Sequence, residues 1–379
     1  MTGAAVGAAL ALCCSAPPAL ATHNAGASCL TADPPAITKP AHRLRFGITP
    51  LAAGSVGLGQ AEIKPENAKA AIGALRDLRP RRRRLVLRLN RMFWADGVAG
   101  IRRYAAIVDR YARAGFASEL QVRYHPPAGK EGDMAAWRRY VRKAASILGR
   151  RRSVKALSIT NEANFDISPN TSDGSYAGVR KAIVAGILAA RKRLNRMDRR
   201  DVRLGFSFAW RWVPESDAAF WEELATLGGR RFRRAVDYIG LQVYPHLVWP
   251  PAPLPGRSGG DEVVEALTLL RSCYLPKAHL GRRVKLWITE NGYITNLGRT
   301  EASQAASLQS TLDAVHRYSG TLGVSDYRWF NLRDNNSTGT DLFAATGLLR
   351  DDYSRKPAFA TLRSAIKRIG SRLPHRRRR

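Results

Sequence analysis

Acidic residues are scarce in this chain. Its 379 residues hold 30 Asp and Glu against 62 Lys and Arg, giving a formal net charge of +32 and a pI near 11.0. Such a surface invites polyanionic partners: nucleic acid, an anionic wall polymer or an acidic polysaccharide. The arginine runs at 81–84, 150–152, 230–234 and 376–379 are scattered, however, and lack interleaved aromatics. They read as solvated loop and helix faces, so only non-specific contact with anionic polymers is expected of them.

Cysteine is equally sparse, with four in the whole chain. Cys13 and Cys14 fall in the apolar N-terminal stretch, which leaves Cys29 and Cys273. An exported protein could join these two in one disulfide tying an N-terminal arm to the outer layer of the fold, but spacing alone leaves the pairing open. Beyond residues 1–21 no apolar run reaches the roughly 20 residues of a membrane span. Residues 1–21 are small and apolar and close on Ala19-Leu20-Ala21, the pattern of a signal peptide, although no Lys or Arg precedes them. The mature chain is therefore expected to be secreted or on the exterior of the cell envelope, with a Pro-rich arm over 22–43 and a basic tail over 371–379.

Also missing is a phosphate-binding loop: the glycines between Gly47 and Gly59 do not follow the spacing that a dinucleotide fold places after its first strand. No linker or shift in composition divides residues 44–370, so a single domain is expected, as a monomer.

What the sequence does contain is a regular alternation. Short apolar runs at 44–48, 85–89, 120–124, 154–162, 202–209, 238–243, 284–290 and 325–330 read as buried strands. Between and after them, apolar residues recur at three and four over 65–78, 100–114, 134–148, 179–194, 220–227, 263–274, 302–318 and 356–369. Eight strand–helix units whose strands are apolar on both faces predict an α/β fold, a single-domain (β/α)8 TIM barrel.

In such a barrel the carboxyl ends of the strands converge on one face, where the chemistry sits. Those ends present Arg88, His125, Asn161, Glu162, Trp210, Tyr244, His246, Glu290 and Trp329. Two of them are carboxylates that end apolar strands far apart in sequence, in Thr160-Asn161-Glu162 and Ile288-Thr289-Glu290. Glycoside cleavage needs that pair: one acid protonates the leaving oxygen while the other attacks or activates water. A Trp beside charged and amide groups suits a sugar, whose C–H face packs on an indole while its hydroxyls seek polar edges. His125 and His246 lack a third ligand at metal spacing, so they read as hydrogen-bonding groups, and no metal or other cofactor is expected.

The set resembles the clan A retaining glycoside hydrolases, the (β/α)8 superfamily of cellulase-, mannanase- and xylosidase-like enzymes, with no family number assignable. The resemblance implies that residues 44–370 form a catalytic domain, with Glu162 as acid/base and Glu290 as nucleophile. It also implies that Arg88 and Tyr244 hold the nucleophile, Asn161 bonds the sugar 2-hydroxyl and Trp329 forms the platform under the sugar. His125, His246 and Trp210 would contact substrate, with Trp94, Trp212 and Trp249 along outer subsites. The chain has Ala163 where many clan members carry Pro, and Gln242 where some place His, which leaves the substrate open. The expectation is a secreted enzyme cleaving a β-linked oligo- or polysaccharide by double displacement, its carboxyl groups about 5 to 5.5 Å apart. The alternatives are a barrel that only binds carbohydrate or wall polymer, and a binder of anionic polymers driven by charge, whose affinity would collapse with salt.

Overall fold

Strands that bury both faces need a neighbour on each edge and a cover of helices outside, and closing eight of them into a ring meets both needs. The structure, a computed structural model, describes residue 29 and residues 31–50, 63–210, 214–247 and 255–373. Its strands are β1 (Arg45–Ile48), β2 (Leu85–Phe93), β3 (Ala117–Arg123), β4 (Val154–Ile159), β5 (Arg203–Ala209), β6 (Tyr238–Val243), β7 (Lys285–Asn291) and β8 (Val324–Trp329). They close in sequence order, β8 pairing back onto β1, and every neighbouring pair is parallel. The (β/α)8 architecture read from the sequence is the architecture of the protein.

The outer layer is α1 (Ala68–Leu78), α2 (Gly97–Arg113), α3 (Met134–Gly149), α4 (Val179–Arg196), α5 (Pro214–Ala235), α6 (Gly259–Leu269), α7 (Glu301–Leu322) and α8 (Pro357–Ile369). In α3, the periodic residues Trp137, Tyr140, Val141, Ala144 and Leu148 are all buried against the barrel. Large apolar side chains such as Val141 and Leu148 each contribute roughly 1.5–3 kcal/mol of apolar burial. Helix α1 starts after Asn67, not at Pro65, because the Asn67 side chain accepts from the Lys69 and Ala70 amides and caps the first turn. Strand β2 runs past Leu89 to Phe93, since Met92 and Phe93 still pair with Val122 and Arg123 of β3.

Cys29 and Cys273 form the disulfide, with Cα atoms 5.9 Å apart, anchoring the N-terminal arm to the turn that follows α6. The arm is also laid along the end of α7: the Thr38 and Lys39 amides donate to Thr321 Oγ1, and the His42 amide to Ser319 Oγ. Closing so long a loop removes denatured-state entropy worth about 5 kcal/mol on the chain-entropy account. The signal-peptide stretch, the Gly-rich loop over 51–59, Trp212, Trp249 and the last six residues of the basic tail lie outside the described residues. Among the described residues, no helix is long and apolar enough to cross a membrane.

The barrel interior is unusually polar. Successive strand residues point alternately in and out. Inward positions carry Arg88, Glu119, Asp326 and Arg328, all buried. Room comes from small neighbours: a Cβ on Gly47 would lie 2.3 Å from Arg328 Cδ, so only glycine lets that side chain cross the barrel. The large hydrophobic core is the ring of side chains between strands and helices.

Candidate active site

Glu162 reaches the barrel mouth through a strained turn. After β4 the chain enters the left-handed region at Thr160 (φ 68°) and at Glu162 (φ 44°), a conformation that a β-branched Thr rarely adopts and that costs about 1–3 kcal/mol per residue. Three bonds hold it. The Thr160 amide donates to Val122 O (2.9 Å), the Asn161 amide to Asp173 Oδ2 (2.9 Å) and the Glu162 amide to Ser207 Oγ (3.1 Å).

Glu290 is aimed by a bulge. Trp287 lines the barrel interior, and strict alternation would send Glu290 outward with Ile288. The register of β7 shifts by one between the Leu241–Ile288 and Gln242–Glu290 pairs, which turns Glu290 into the mouth. There Tyr244 donates to its Oε2 at 2.8 Å, while Arg88 Nε and Nη2 both stand 3.4 Å from Oε1. The other side of the Arg88 guanidinium is bound more tightly, Nη1 donating to Glu119 at 2.6 Å.

The two glutamates are close enough to feel each other's charge. Burial pushes the Glu162 carboxyl up to about 8, and the negative charge of Glu290 adds to the rise, against Arg123 and Arg88. Glu162 is thus protonated near neutral pH. Burial likewise drives the Tyr244 hydroxyl well above its ordinary range, so it stays a donor to Glu290.

Asn161, next to Glu162 in the chain, has a fixed amide. Its Oδ1 accepts from Gln121 (2.6 Å) and from Gln242 (2.8 Å), and its Nδ2 donates to Thr171 O (2.7 Å). Gln242 is therefore an orienting group for Asn161. His125 sits half-buried at the rim, its Nδ1 2.8 Å from the Tyr176 hydroxyl and 3.2 Å from Pro169 O. His246 is buried, with Nε2 3.5 Å from Glu262.

The tryptophans do not fall where the sequence suggested. Trp329 is 1% exposed and belongs to the outer core, because on β8 it alternates with the inward-pointing Arg328. The next residue, Phe330, turns to the mouth instead: its ring lies 6.1 Å from Tyr244 and 6.4 Å from Phe343 in edge contacts. Trp94 packs against Tyr124 and Trp137, and Trp210 is also part of the main core.

Residues that sequence reasoning missed complete the site. Asp173 accepts from Arg123 Nε (2.7 Å) and from the Tyr124 and Asn161 amides. It lies in a polar loop whose sequence carried no signal. Glu119, Gln121 and Arg123 did carry one: polar residues at every second position of an otherwise apolar strand mark a polar interior. Among the described residues no group of three or more His, Cys, Asp or Glu side chains is placed to hold a metal.

No protein-family profile matches the sequence, and no curated protein matches it. Solved structures do. A GH5_18 protein from Bifidobacterium longum subsp. infantis superposes with a TM-score of 0.61 at 15% identity, over 87% of this chain and 80% of its own. An exo-β-1,4-mannosidase from an Opitutaceae bacterium superposes with a TM-score of 0.60 at 14% identity, over 87% of this chain and 61% of its own. A Thermotoga maritima β-glucosidase solved with castanospermine does so with a TM-score of 0.55 at 13% identity, over 88% of this chain and the whole of its own. At these identities the likeness defines a fold class: the chain has the (β/α)8 barrel that GH5, GH39 and related clan A glycoside hydrolases share.

Proposed function

We propose that this protein is a retaining O-glycoside hydrolase that cleaves a β-linked oligo- or polysaccharide outside the cytoplasm. One observation carries the reading: a buried Glu162, its carboxyl raised by burial and by the charge of Glu290, shares the barrel mouth with a Glu290 that Arg88 and Tyr244 hold. A buried acid with a raised carboxyl beside a carboxylate fixed by a guanidinium and a hydroxyl suits a proton donor paired with a nucleophile. Glu290 Oε attacks the anomeric carbon while Glu162 gives its proton to the leaving oxygen, forming a glycosyl-enzyme. Glu162, now ionised, takes a proton from water, which attacks the same carbon and releases Glu290. Asn161, its amide oxygen occupied by two glutamines, points its Nδ2 toward the sugar 2-hydroxyl, a bond that strengthens as the ring flattens. Phe330, and not Trp329, supplies the apolar surface under the sugar, while His125 marks the rim of the cleft.

The fold neighbours include proteins described as a β-mannosidase and a β-glucosidase, and a GH5_18 protein from Streptomyces cattleya was solved with Manβ1-4GlcNAc, which favours a β-linked hexose. Export is supported by the apolar N-terminal stretch and by the Cys29–Cys273 bridge, which needs an oxidising compartment.

The test is azide rescue with aryl β-glycosides. Glu290→Ala should lose activity by roughly 10⁴-fold or more and give an inverted glycosyl azide; Glu162→Ala should give a retained one. Exchanged products would reverse the roles, and a wild type that turns over no β-glycoside while still binding glycans would leave a carbohydrate-binding barrel.

A further inference from the structure

The opposite end of the barrel is open as well. Inward positions that a barrel floor fills with bulky side chains are occupied here by Ala117 and Ala156. A cavity of about 460 Å³ results at the amino ends of the strands, reaching inward to Glu119, Trp287 and Arg328. That volume lies in the range of small-ligand sites, roughly 300–1,000 Å³.

Its chemistry is one-sided. Of seventeen lining residues seven are Arg or Lys and three are Asp or Glu. The three acids are already committed: Asp326 accepts from Arg45 and Arg328, Glu119 from Arg88 and Arg328, and Asp201 from Arg199. Arg79, Arg83 and Arg84, all in the turn between α1 and β2, make no ion pair with a carboxylate among the described residues. Arg79 and Arg83 spend donors on backbone carbonyls of Gly115, Lys367 and Gly370. Burial, and then crowding beside Arg43 and Arg372, pull the Arg83 guanidinium below its ordinary range.

Among the lining side chains, two buried polar atoms have no partner within the described residues, and both are N–H donors: Arg84 Nε and Trp287 Nε1. Trp287 is 4% exposed and rigid, stacked flat on Tyr238 with ring centroids 3.6 Å apart, and Arg45 and Arg328 lie over its ring. Unfilled donors, no unfilled acceptor and surplus positive charge around one cavity describe a site for a compact polyanion. We propose that the barrel floor binds a small phosphate-type ligand carrying two or more negative charges, remote from Glu162 and Glu290.

Inorganic pyrophosphate is the probe, titrated calorimetrically into the full mature chain at fixed ionic strength. The wild type should bind one equivalent. Arg79→Gln/Arg84→Gln should weaken binding by about tenfold or more, as loss of charge-assisted hydrogen bonds implies. Arg138→Gln/Arg139→Gln, which removes the same charge from the exposed face of α3, should leave it within about twofold. Trp287→Phe keeps the stacked ring and all charges, so it tests the donor without threatening the fold; a loss of about tenfold is expected. A parallel titration with a sugar monophosphate separates the sources, since tighter binding of one or the other distinguishes a phosphorylated saccharide from a free polyphosphate. Equal weakening by both double variants would reduce the binding to general attraction by a chain of charge +32 and overturn the site, as would the absence of saturation.

Discussion

The mouth and the floor of this barrel bury the same kind of group and treat it in opposite ways. Glu162 at the mouth and Asp326 near the floor are both carboxyls with less than a tenth of their surface exposed. Burial works to raise both. At Asp326 the guanidiniums of Arg328 and Arg45, in contact at 2.9 and 2.7 Å, outweigh it and hold the acid below the ordinary carboxylate range. Glu162 has Arg123 and Arg88 only as more distant charges and Glu290 as a like-charged neighbour, so its proton stays on up to about pH 8. Desolvation is thus common to both ends, and the placement of arginines decides which acid becomes a proton donor and which a structural anion.

The largest effect that sharpens this contrast is expected at Glu162. Glu162→Gln should lower kcat by about 10²–10⁴-fold on substrates with poor leaving groups. Because the raised value means that the acid form persists below about 8, wild-type kcat/KM should fall as pH rises through that value, and this basic limb should vanish in the variant. The sign for stability follows. The folded chain keeps a proton that the unfolded chain releases above the ordinary value of 4.5, so native stability declines from there to about pH 8. Denaturant melts at pH 5 and pH 9 should show Glu162→Gln gaining on wild type at the higher pH only.

The next effect concerns the link between the two ends. Glu119 binds Arg88 at 2.6 Å and Arg328 at 3.2 Å, joining the Glu290 site to the Asp326 cluster. Glu119→Gln leaves two buried guanidiniums short of a partner and should cost about 3–5 kcal/mol in urea unfolding. An unchanged unfolding midpoint would break the comparison by showing that the floor arginines do not depend on their acids.

The smallest effects distinguish the two faces of one strand. Phe330→Ala should raise KM about tenfold, as loss of an aromatic contact to sugar implies, and should also lower stability because its ring packs against Tyr244 and Phe343. Trp329→Phe should leave KM unchanged and cost about 1–3 kcal/mol in stability, because it opens space in the outer core. Steady-state kinetics and thermal melts of the two variants decide between these outcomes, and a KM effect from Trp329→Phe would return the platform to the residue the sequence suggested.

Sequence alone determined the barrel. Apolar runs such as Leu85–Leu89 and Tyr238–Val243 alternate with helical periods, and that local pattern survives in any chain that buries strands on both faces. It also placed Glu162, Glu290, Tyr244 and Asn161 at the strand ends that the structure brings together, whereas Arg88 reaches Glu290 from inside β2, which continues to Phe93. The interior charges Glu119 and Arg123 were half visible, spaced by four positions around Gln121, but their ion pairs reach across the barrel to β2, β8 and the loop holding Asp173. Tertiary structure alone decided which way the ends point. A one-residue bulge in β7, present in its register against both β6 and β8, turns Glu290 inward, while β8 keeps an unbroken register with β1 to the Ile48–Trp329 pair, which leaves Trp329 outside and brings Phe330 in. Bulges depend on how two strands register against each other, and that register is set by packing around the whole ring, so no single strand's sequence contains it.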